Sequence, residues 1–341
     1  MGPLRELSVH QLRTLALQCG IARSGTKGAL IQRIQQVVRD HRPLDGGACI
    51  LSIDLGIRNL AYCLITAPPG RPHSSRPLSV VHAWHALSLV PPACTAVGEK
   101  TTEEKKKRAD GGDLDTSDVS PSILRPKLQQ QEDFSPASLS EIAVGLVRDK
   151  LLPLQPTHVL VERQRFRSAG GPAVFEWTVR VNSLEAMLYA TFGTLKALGH
   201  WDGIVAPVDP KRVASFLVEG EIEDAPQGAD GQDIRLCSAR SNKRTSREVK
   251  RQKMDLLGQW LSEGRVSMGN PQAKAMRTKY LDRWMRKGGK ETRSGPDVKV
   301  QEAGSVDGLK KLDDVADSLL QGVSWLKWQE NRSRLQATIR T

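Results

Sequence analysis

The stretch KKLDDVADSLLQGVSWLKWQ, residues 310–329, decides the fold class of this chain. Its apolar residues recur at the spacing of one helical face, at Leu312, Ala316, Leu319, Leu320, Val323 and Leu326. That spacing predicts a helix with a buried stripe. Three carboxylates lie beside the stripe in the first turns of this helix, namely Asp313, Asp314 and Asp317. The predicted helix therefore carries acidic groups at the edge of its buried face.

Two of these carboxylates share a helical face, because Asp317 comes four residues after Asp313 and three after Asp314. Like charges at that spacing repel each other, so the arrangement is unfavourable unless a cation is bound. An alternative is that aspartates in the first turn complement the helix dipole. The dipole explains Asp313 and Asp314 better than Asp317, which lies further along the helix.

Acidic residues also end two predicted strands earlier in the chain. The run ACILSI, residues 48–53, is followed by Asp54, and the run HVLVE, residues 158–162, ends on Glu162. A second apolar run over residues 59–65 predicts a hairpin with the first strand. Aspartate is disfavoured in strands and costly to bury alone, so Asp54 requires a metal, a cation or solvent at a sheet edge. Because Glu162 precedes Arg163, a salt bridge is the alternative explanation of its position.

These acids supply oxygen ligands without any histidine or cysteine at ligand spacing. Hard oxygen ligands suit Mg²⁺, with Mn²⁺ as a substitute, rather than zinc. Two such ions about 4 Å apart activate a water molecule and stabilise the leaving oxygen in phosphodiester hydrolysis. The pattern predicts a nuclease site with two metal ions and no organic cofactor.

Three motifs resemble the RuvC-type branch of the RNase H-like superfamily, and in particular the fungal mitochondrial Holliday junction resolvase family. They are ILSIDLGIRNLAYCLI at residues 50–65, HVLVERQRFRS at residues 158–168, and the stretch at residues 310–329. The resemblance implies an α/β fold, an RNase H-like mixed sheet flanked by helices. It also implies a catalytic and metal-binding tetrad, formed by Asp54, Glu162, Asp317 and one of Asp313 or Asp314. The Asp-x-x-Asp spacing of the bacterial relatives favours Asp314 and leaves Asp313 open.

The same resemblance implies the reaction and its setting. We expect resolution of four-way DNA junctions, in mitochondrial DNA recombination and segregation. Paired nicks at two-fold related positions need two active sites, and one chain supplies a single tetrad, so we expect a homodimer. Two alternatives remain open: a catalytically idle DNA- or RNA-binding architectural protein, and an RNase H-type nuclease of the same fold.

Basic residues next to these motifs are predicted to contact phosphates. They are Arg163, Arg165 and Arg167 after the second strand, Lys211 and Arg212 at a helix predicted to begin at Pro210, and Lys310 and Lys311 before the acidic helix. A charge that simply faces solvent is the alternative for each of them.

The first forty residues predict a small helical unit. Residues 4–17 have helical apolar spacing, Gly20 ends that helix, and residues 24–27 form a turn and cap before a second amphipathic helix. This order resembles the SAP motif, a helix–turn–helix DNA-binding module, and implies phosphate contacts from Arg13, Arg23 and Lys27. We predict a SAP-like module over residues 1–42 and a nuclease domain over residues 47–330. An arginine-rich transit peptide is the alternative for the N-terminal residues.

The positive charge of the chain is concentrated in one segment. The whole sequence has a net charge of +12, and residues 235–293 contain 17 Lys and Arg against 5 Asp and Glu. Trp260, Tyr280 and Trp284 lie among these cations in predicted helical runs, a pattern typical of nucleic-acid binders. A solvated basic loop or a membrane-surface patch is the alternative. Residues 98–136 are poor in apolar groups and predict a flexible insertion.

Composition excludes several classes of protein. The apolar runs are far shorter than the roughly 20 residues that a membrane span requires. Five cysteines without a C-x-x-C pair form neither a disulfide framework nor a zinc site.

Overall fold

The computed structural model describes residues 3–68, 77–90, 133–164, 175–219, 245–288 and 312–340. Its helices are α1 (Pro3–Glu6), α2 (Val9–Gln18), α3 (Lys27–Asp40), α4 (Pro136–Leu146), α5 (Glu176–Ala197), α6 (Pro210–Glu219), α7 (Ser246–Ser262), α8 (Pro271–Gly288) and α9 (Leu312–Arg340). Its strands are β1 (Cys49–Asp54), β2 (Leu60–Thr66), β3 (Ser79–Leu87), β4 (His158–Glu162), β5 (Ile204–Val208) and β6 (Val266–Met268). Two short helical turns, Val147–Leu151 and Leu152–Leu154, follow α4.

The six strands form one mixed sheet in the order β5-β4-β1-β2-β3-β6. β1 and β2 pair antiparallel as the predicted hairpin, and β3 extends this arrangement. β4 pairs parallel with both β1 and β5, and β6 pairs parallel with β3. The predicted α/β fold, a mixed sheet flanked by helices, is confirmed.

The side chains of β1 alternate between two cores, because successive residues of a strand point to opposite faces. Leu51 and Ile53 belong to the core beneath α4 and α5. Ile50 belongs to the opposite core, beneath α6, α7, α8 and α9, and Ser52 is bonded to α9. Asp54 follows this alternation and therefore ends β1 on the α9 side of the sheet.

β4 repeats the same pattern beside β1. Leu160 packs in the core on the α9 side, whereas Val161 packs on the opposite face. Because Ile53 is in register with Val161, Asp54 and Glu162 end two neighbouring parallel strands at the same edge. Strand pairing alone therefore places the two acids side by side, facing α9.

Helix α9 is fixed against this sheet one turn after Asp317. The buried Gln321 amide donates to the Ser52 hydroxyl at 3.1 Å and to the carbonyl of Ile53 at 3.3 Å. Gly322 allows close approach of the helix, since a Cβ atom there would lie 2.8 Å from Ile65 Cδ1. These contacts hold the acidic turns of α9 over the ends of β1 and β4.

The predicted N-terminal helix is divided into α1 and α2. The division occurs because Ser8 caps α2, its hydroxyl accepting from Gln11 N at 3.2 Å while the Gln11 side chain accepts from Ser8 N at 2.8 Å. Thr26 caps α3 within the predicted turn, accepting from Ala29 N. The two-helix arrangement expected for residues 4–38 is therefore present, with an additional short first helix.

The N-terminal helices pack on the second half of α9, which continues past residue 330. Leu335 and Ile339 of α9 join their apolar core, and Arg332 donates to the carbonyl of Cys19 at 2.9 Å. Gly20 has a φ of +66°, and a Cβ atom there would lie 2.4 Å from the Trp328 ring. The N-terminal unit is therefore docked on the same helix that carries the acidic residues. Its predicted boundaries stay a prediction.

Residues 98–132 of the predicted insertion lie outside the described residues. Its last residues are described, and there Ser135 caps α4. The described part of the basic segment, residues 245–288, forms α7, β6 and α8. Across the described ranges, no helix combines the length and apolar character needed to cross a membrane.

Candidate active site

Asp54 and Glu162 form the centre of an acidic cluster. Their carboxyl groups lie close enough for a hydrogen bond between them. The pKa of Asp54 is raised well above its usual value, first by burial and then by this hydrogen bond. The nearby charges of Glu162, Asp317 and Asp314 raise it further. The ends of β1 and β4 and the first turns of α9 therefore bring acidic groups close enough together to raise the pKa of Asp54.

Asp317 completes the cluster from α9 and binds a lysine. Lys253 Nζ, on α7, lies 2.5 Å from Asp317 Oδ1. Burial raises the pKa of Asp317, the Lys253 ammonium opposes that rise, and the charges of Glu162 and Asp313 add to it. Burial is the larger effect, so the pKa of Asp317 remains above its usual value despite its lysine partner.

The two neighbouring aspartates of α9 have different surroundings. Asp313 Oδ2 accepts a hydrogen bond from Lys250 Nζ at 2.7 Å, on the half-exposed side of the helix. The charge of Asp314 contributes to the raised pKa of Asp54. The structure therefore brings Asp54, Glu162, Asp314 and Asp317 into one electrostatic cluster, with Asp313 paired to Lys250 beside it.

The donor set of this cluster fits a divalent cation, because carboxylate oxygens are the ligands that Mg²⁺ and Mn²⁺ prefer. The present side-chain positions do not enclose an ion. In the part of the chain that the structure describes, no three His, Cys, Asp or Glu side chains are grouped so that they could hold a metal. Asp54 is instead bonded to Glu162, and Asp317 is bonded to Lys253. A cation would compete with the Lys253 ammonium group for the Asp317 oxygens, and its binding requires the carboxylates to turn.

Comparison with known proteins places this arrangement in a family. Residues 50–335 match the sequence profile described as mitochondrial resolvase Ydc2 / RNA splicing MRS1. The chain belongs to this family. The resemblance based on the three motifs is thereby confirmed. The matched range begins at residue 50, so the SAP-like character of the first 42 residues stays a prediction.

Two curated relatives have the name "cruciform cutting endonuclease 1, mitochondrial". The Schizosaccharomyces pombe protein is 31% identical over 171 residues, which span 50% of this chain and 50% of the relative. The Saccharomyces cerevisiae protein is 22% identical over 339 residues, covering 94% of this chain and 82% of the relative. The alignment therefore spans about half the length of the first relative and most of the second.

A crystal structure of the yeast mitochondrial Holliday junction resolvase Ydc2 has the same fold. It aligns with a TM-score of 0.55 at 22% sequence identity and covers 98% of both chains. This likeness confirms the predicted RNase H-like fold class for this member of the family.

The predicted phosphate-binding residues have different positions. Arg163 directly follows Glu162 and is exposed, with its backbone N–H bonded to the carbonyl of Val208. Lys211 and Arg212 are exposed at the start of α6, and the Arg212 guanidinium donates to the carbonyl of Gly20. Arg165, Arg167, Lys310 and Lys311 lie outside the described residues.

The three basic residues predicted in the N-terminal unit differ in their partners. Arg13 and Lys27 are exposed on α2 and α3. Arg23 is half-buried, and its guanidinium bonds Glu219 and the hydroxyl of Ser215 on α6. A phosphate would have to compete with Glu219 for Arg23, whereas Arg13 and Lys27 extend into solvent.

The aromatic residues of the basic segment pack inside the protein. The sequence pattern had indicated that they would lie among its cations on a nucleic-acid-binding surface. Trp260 and Tyr280 are fully buried, and the Tyr280 ring stacks on Trp84 of β3. The Trp284 indole donates to Asp255 at 2.9 Å. They attach α7 and α8 to the sheet, and this attachment determines where the lysines of α7 lie.

Three residues of the site were not predicted individually. Lys250 and Lys253 belong to the basic segment, and their spacing of three residues was a signal that both lie on one face of α7. Glu185 of α5 accepts from Gln164 N at 3.0 Å, just beyond Glu162, and burial followed by the charge of Glu162 raises its pKa. No local pattern distinguishes Glu185, because its helix is apolar on several sides.

Proposed function

We propose that this chain is a structure-specific endonuclease that resolves four-way DNA junctions by metal-dependent hydrolysis of phosphodiester bonds. The observation that carries the proposal is the convergence of Asp54, Glu162, Asp314 and Asp317 at one edge of the sheet. Mutually repelling carboxylates are costly to bury, and a divalent cation offsets that cost. A site of this kind fits phosphoryl chemistry.

Asp54, Glu162, Asp314 and Asp317 are the proposed ligands of two Mg²⁺ ions, with Mn²⁺ as a substitute. When bound, such ions activate water and stabilise the leaving oxygen. The shared hydrogen bond of Asp54 and Glu162 would then be replaced by metal bonds, and Lys253 would be released from Asp317. Asp313 stays with Lys250 and serves to position the lysine and the first turn of α9.

The acidic cluster favours an enzyme over an idle nucleic-acid binder. The family description covers both a resolvase and an RNA-splicing protein, so family membership alone does not choose between them. A protein that only binds RNA or DNA gains nothing from grouping four half-buried carboxylates, since they repel the phosphate backbone. The grouping of the four proposed ligands at one sheet edge supports the enzyme.

The cations near the cluster are suited to bind the scissile strand. Lys253 is largely buried against the acids, so its ammonium group would contact a phosphate held by the same ions. Arg163, exposed beside Glu162, would bind a neighbouring phosphate. Arg165, Arg167, Lys310 and Lys311 are proposed to extend this contact.

The junction arms are proposed to lie on the positively charged surfaces away from the cluster. Lys274, Lys279 and Arg286 are exposed along α8, and Arg13 and Lys27 are exposed on the N-terminal unit. Lys211 and Arg212 lie at the start of α6, between the N-terminal unit and β5, and would contact the DNA backbone there. Such contacts are independent of sequence and supply affinity for branched DNA.

A homodimer is the proposed active species, because two symmetric nicks need two acidic clusters and each chain provides one. Both curated relatives are named as mitochondrial, and so is the resolvase branch of the family description. We therefore propose a mitochondrial location and a role in mitochondrial DNA recombination and segregation.

A substrate panel tests this function. The purified chain is incubated with a labelled four-way DNA junction, linear duplex, RNA–DNA hybrid and structured RNA, each with and without Mg²⁺. The proposal predicts paired symmetric cuts in the junction only when Mg²⁺ is present. Cleavage of the hybrid instead would indicate an RNase H-type nuclease, and tight binding without any cleavage would indicate an architectural protein.

A further inference from the structure

A row of three polar side chains crosses the middle of the sheet beneath α9. Ser52 of β1 is in register with Cys63 of β2, and Cys63 is in register with Trp84 of β3. All three residues are fully buried, and each of them shares a hydrogen bond with α9. This polar row therefore lies between the sheet and the helix that carries Asp314 and Asp317.

Helix α9 meets the polar row at residues that are three positions apart. The bonded pairs, in the order β3, β2 and β1, are Trp84 Nε1 with the carbonyl of Val315 at 3.1 Å, Cys63 Sγ with the carbonyl of Ser318 at 3.3 Å, and the Gln321 amide with the Ser52 hydroxyl at 3.1 Å. Three residues of an α-helix rise about 4.5 Å, close to the roughly 4.8 Å between neighbouring strands. α9 therefore crosses the three strands in step and is bonded to each of them.

Gln321 is the contact that fixes the position of α9 on this row. The contacts of Trp84 and Cys63 end on main-chain carbonyls, which a helix presents at every residue, so a shifted helix would offer them the next carbonyl. Gln321 instead uses its side chain, which is buried, and its amide donates a second hydrogen bond to the carbonyl of Ile53 at 3.3 Å. A shift of α9 would break both bonds and leave the amide buried without partners, which is unfavourable.

The same amide connects the two elements that carry the acids. Gln321 follows Asp317 by one helical turn on α9, and its acceptor Ile53 directly precedes Asp54 on β1. The two hydrogen bonds therefore fix the spacing between the backbones of α9 and β1 close to both carboxylates. The acidic side chains can turn to receive a cation, whereas the backbone that carries them is held in place.

We propose that Gln321 is a positioning residue for the metal ions of the acidic cluster, and that it makes the cluster selective for small divalent cations. Mg²⁺ requires nearly ideal octahedral geometry at about 2.0–2.1 Å, whereas Ca²⁺ accepts flexible arrangements at about 2.3–2.6 Å. A loosened contact between α9 and β1 therefore weakens Mg²⁺ binding more than Ca²⁺ binding. The inference rests on the proposed metal-dependent cleavage, and it adds the residue that sets the metal selectivity of that reaction.

The metal affinity of the full chain without DNA tests this role. Calorimetric titrations with Mg²⁺ and with Ca²⁺ are compared between the wild-type chain and Gln321→Met, because methionine has nearly the length of glutamine but donates no hydrogen bond. Gln321→Met should raise the Kd for Mg²⁺ about tenfold and the Kd for Ca²⁺ only about twofold. The Mg²⁺ concentration that gives half-maximal junction cleavage should rise with the Kd for Mg²⁺.

Gln336 offers a matched control on the same helix. Its buried amide donates to the carbonyls of Val38 at 2.8 Å and His41 at 3.3 Å, both at the end of the N-terminal unit. Gln336→Met should lower the melting temperature about as much as Gln321→Met, and it should leave both metal affinities unchanged. If Gln321→Met does not fold, Ser52→Ala, which removes one of the two acceptors, should raise the Kd for Mg²⁺ about threefold.

An unchanged Mg²⁺ affinity in Gln321→Met would overturn the positioning role. So would an equal loss of Mg²⁺ and Ca²⁺ affinity, or the same loss in Gln336→Met, because general destabilisation produces both results. Asp54→Asn separates this inference from the proposed function. If Mg²⁺ binding depends on Asp54 but not on Gln321, the metal site stands and the positioning role is rejected. If Mg²⁺ binding is absent or independent of Asp54, the metal site is rejected together with the positioning role.

Discussion

Lys253 Nζ lies 2.5 Å from Asp317 Oδ1, and the lysine side chain is only 14% exposed. An ammonium group is costly to bury without a carboxylate partner, and Asp317 is equally costly to bury beside Glu162 without a cation. The pair therefore neutralises the acidic cluster from within. It also means that α7, a helix of the basic segment, contributes a side chain to the candidate active site.

The first prediction concerns this pair. Lys253→Met should lower the free energy of unfolding by about 1–3 kcal/mol, because Asp317 is left among like charges. Mg²⁺ should recover more of the stability of this variant than of the wild-type chain, since the ion replaces the lost charge. Denaturant unfolding with and without Mg²⁺ measures both effects. Lys250→Met, at a more exposed pair with Asp313, should cost less than about 1 kcal/mol. Equal losses for the two variants would contradict the role given to Lys253.

The doubled aspartate of α9 gives a second prediction. Asp314→Asn should remove nearly all junction cleavage, because Asp314 is a proposed metal ligand. Asp313→Asn should remain active and cost about 1 kcal/mol of stability at most, because Asp313 pairs with Lys250 at the helix start. Cleavage assays and unfolding curves of the two variants decide which of the two aspartates is the metal ligand. An inactive Asp313→Asn together with an active Asp314→Asn would reverse the assignment.

Docking of the N-terminal unit on α9 gives a third prediction. Gly20→Ala should lower the free energy of unfolding by about 1–3 kcal/mol, because the new Cβ atom would overlap the Trp328 ring and φ is positive there. Gly28→Ala is the matched control: it lies in α3 with no atom within 4 Å of the new Cβ atom. Alanine is the better helix former, so this control should not lose stability. Thermal unfolding of both variants measures the difference. If Gly20→Ala were as stable as the wild-type chain, the N-terminal unit would not be held on Trp328.

The fourth prediction concerns DNA contact by the N-terminal unit. Deleting the unit would expose Leu335 and Ile339 of α9, so substitution of its exposed cations is the sharper test. Arg13→Ala combined with Lys27→Ala should reduce the magnitude of the slope of log affinity against log salt by about 2, since each lost phosphate contact accounts for about 0.9. Arg148→Ala, an exposed arginine after α4 that pairs with Asp149, should leave the slope unchanged. An unchanged slope in the double variant would show that this surface does not touch DNA.

Much of the fold and of the acidic site followed from local sequence patterns. The apolar stripe from Leu312 to Leu326 has the period of a helix, and that helix is α9. Asp54 and Glu162 end runs of strand-forming residues, and the register of the parallel strands β1 and β4 places both acids at one edge. Each of these signals lies within a few residues of the acid that it marks, so the local pattern alone reveals it.

What escaped prediction depends on contacts between distant parts of the chain. Lys253 and Asp317 are 64 residues apart, and nothing near either residue identifies the other. The same is true of Arg23, which bonds Glu219 across 196 residues. Trp260 and Tyr280 were predicted as part of a binding surface but are buried. Aromatic residues among cations are equally compatible with a binding surface and with a buried helix face. Tertiary packing decides such cases.

Asp54 is the residue on which the proposed function depends most directly. The most direct measurement is the cleavage of a labelled four-way DNA junction with Mg²⁺ by the wild-type chain and by Asp54→Asn, alongside a binding assay of both without Mg²⁺. Asp282→Asn, an exposed carboxylate on α8, serves as the control. The account predicts paired cuts by the wild-type chain and the control, and no cuts by Asp54→Asn, whose junction affinity is unchanged or higher because the substitution removes a proposed metal ligand without removing a phosphate contact. Cleavage by Asp54→Asn at more than a few per cent of the wild-type rate would contradict it.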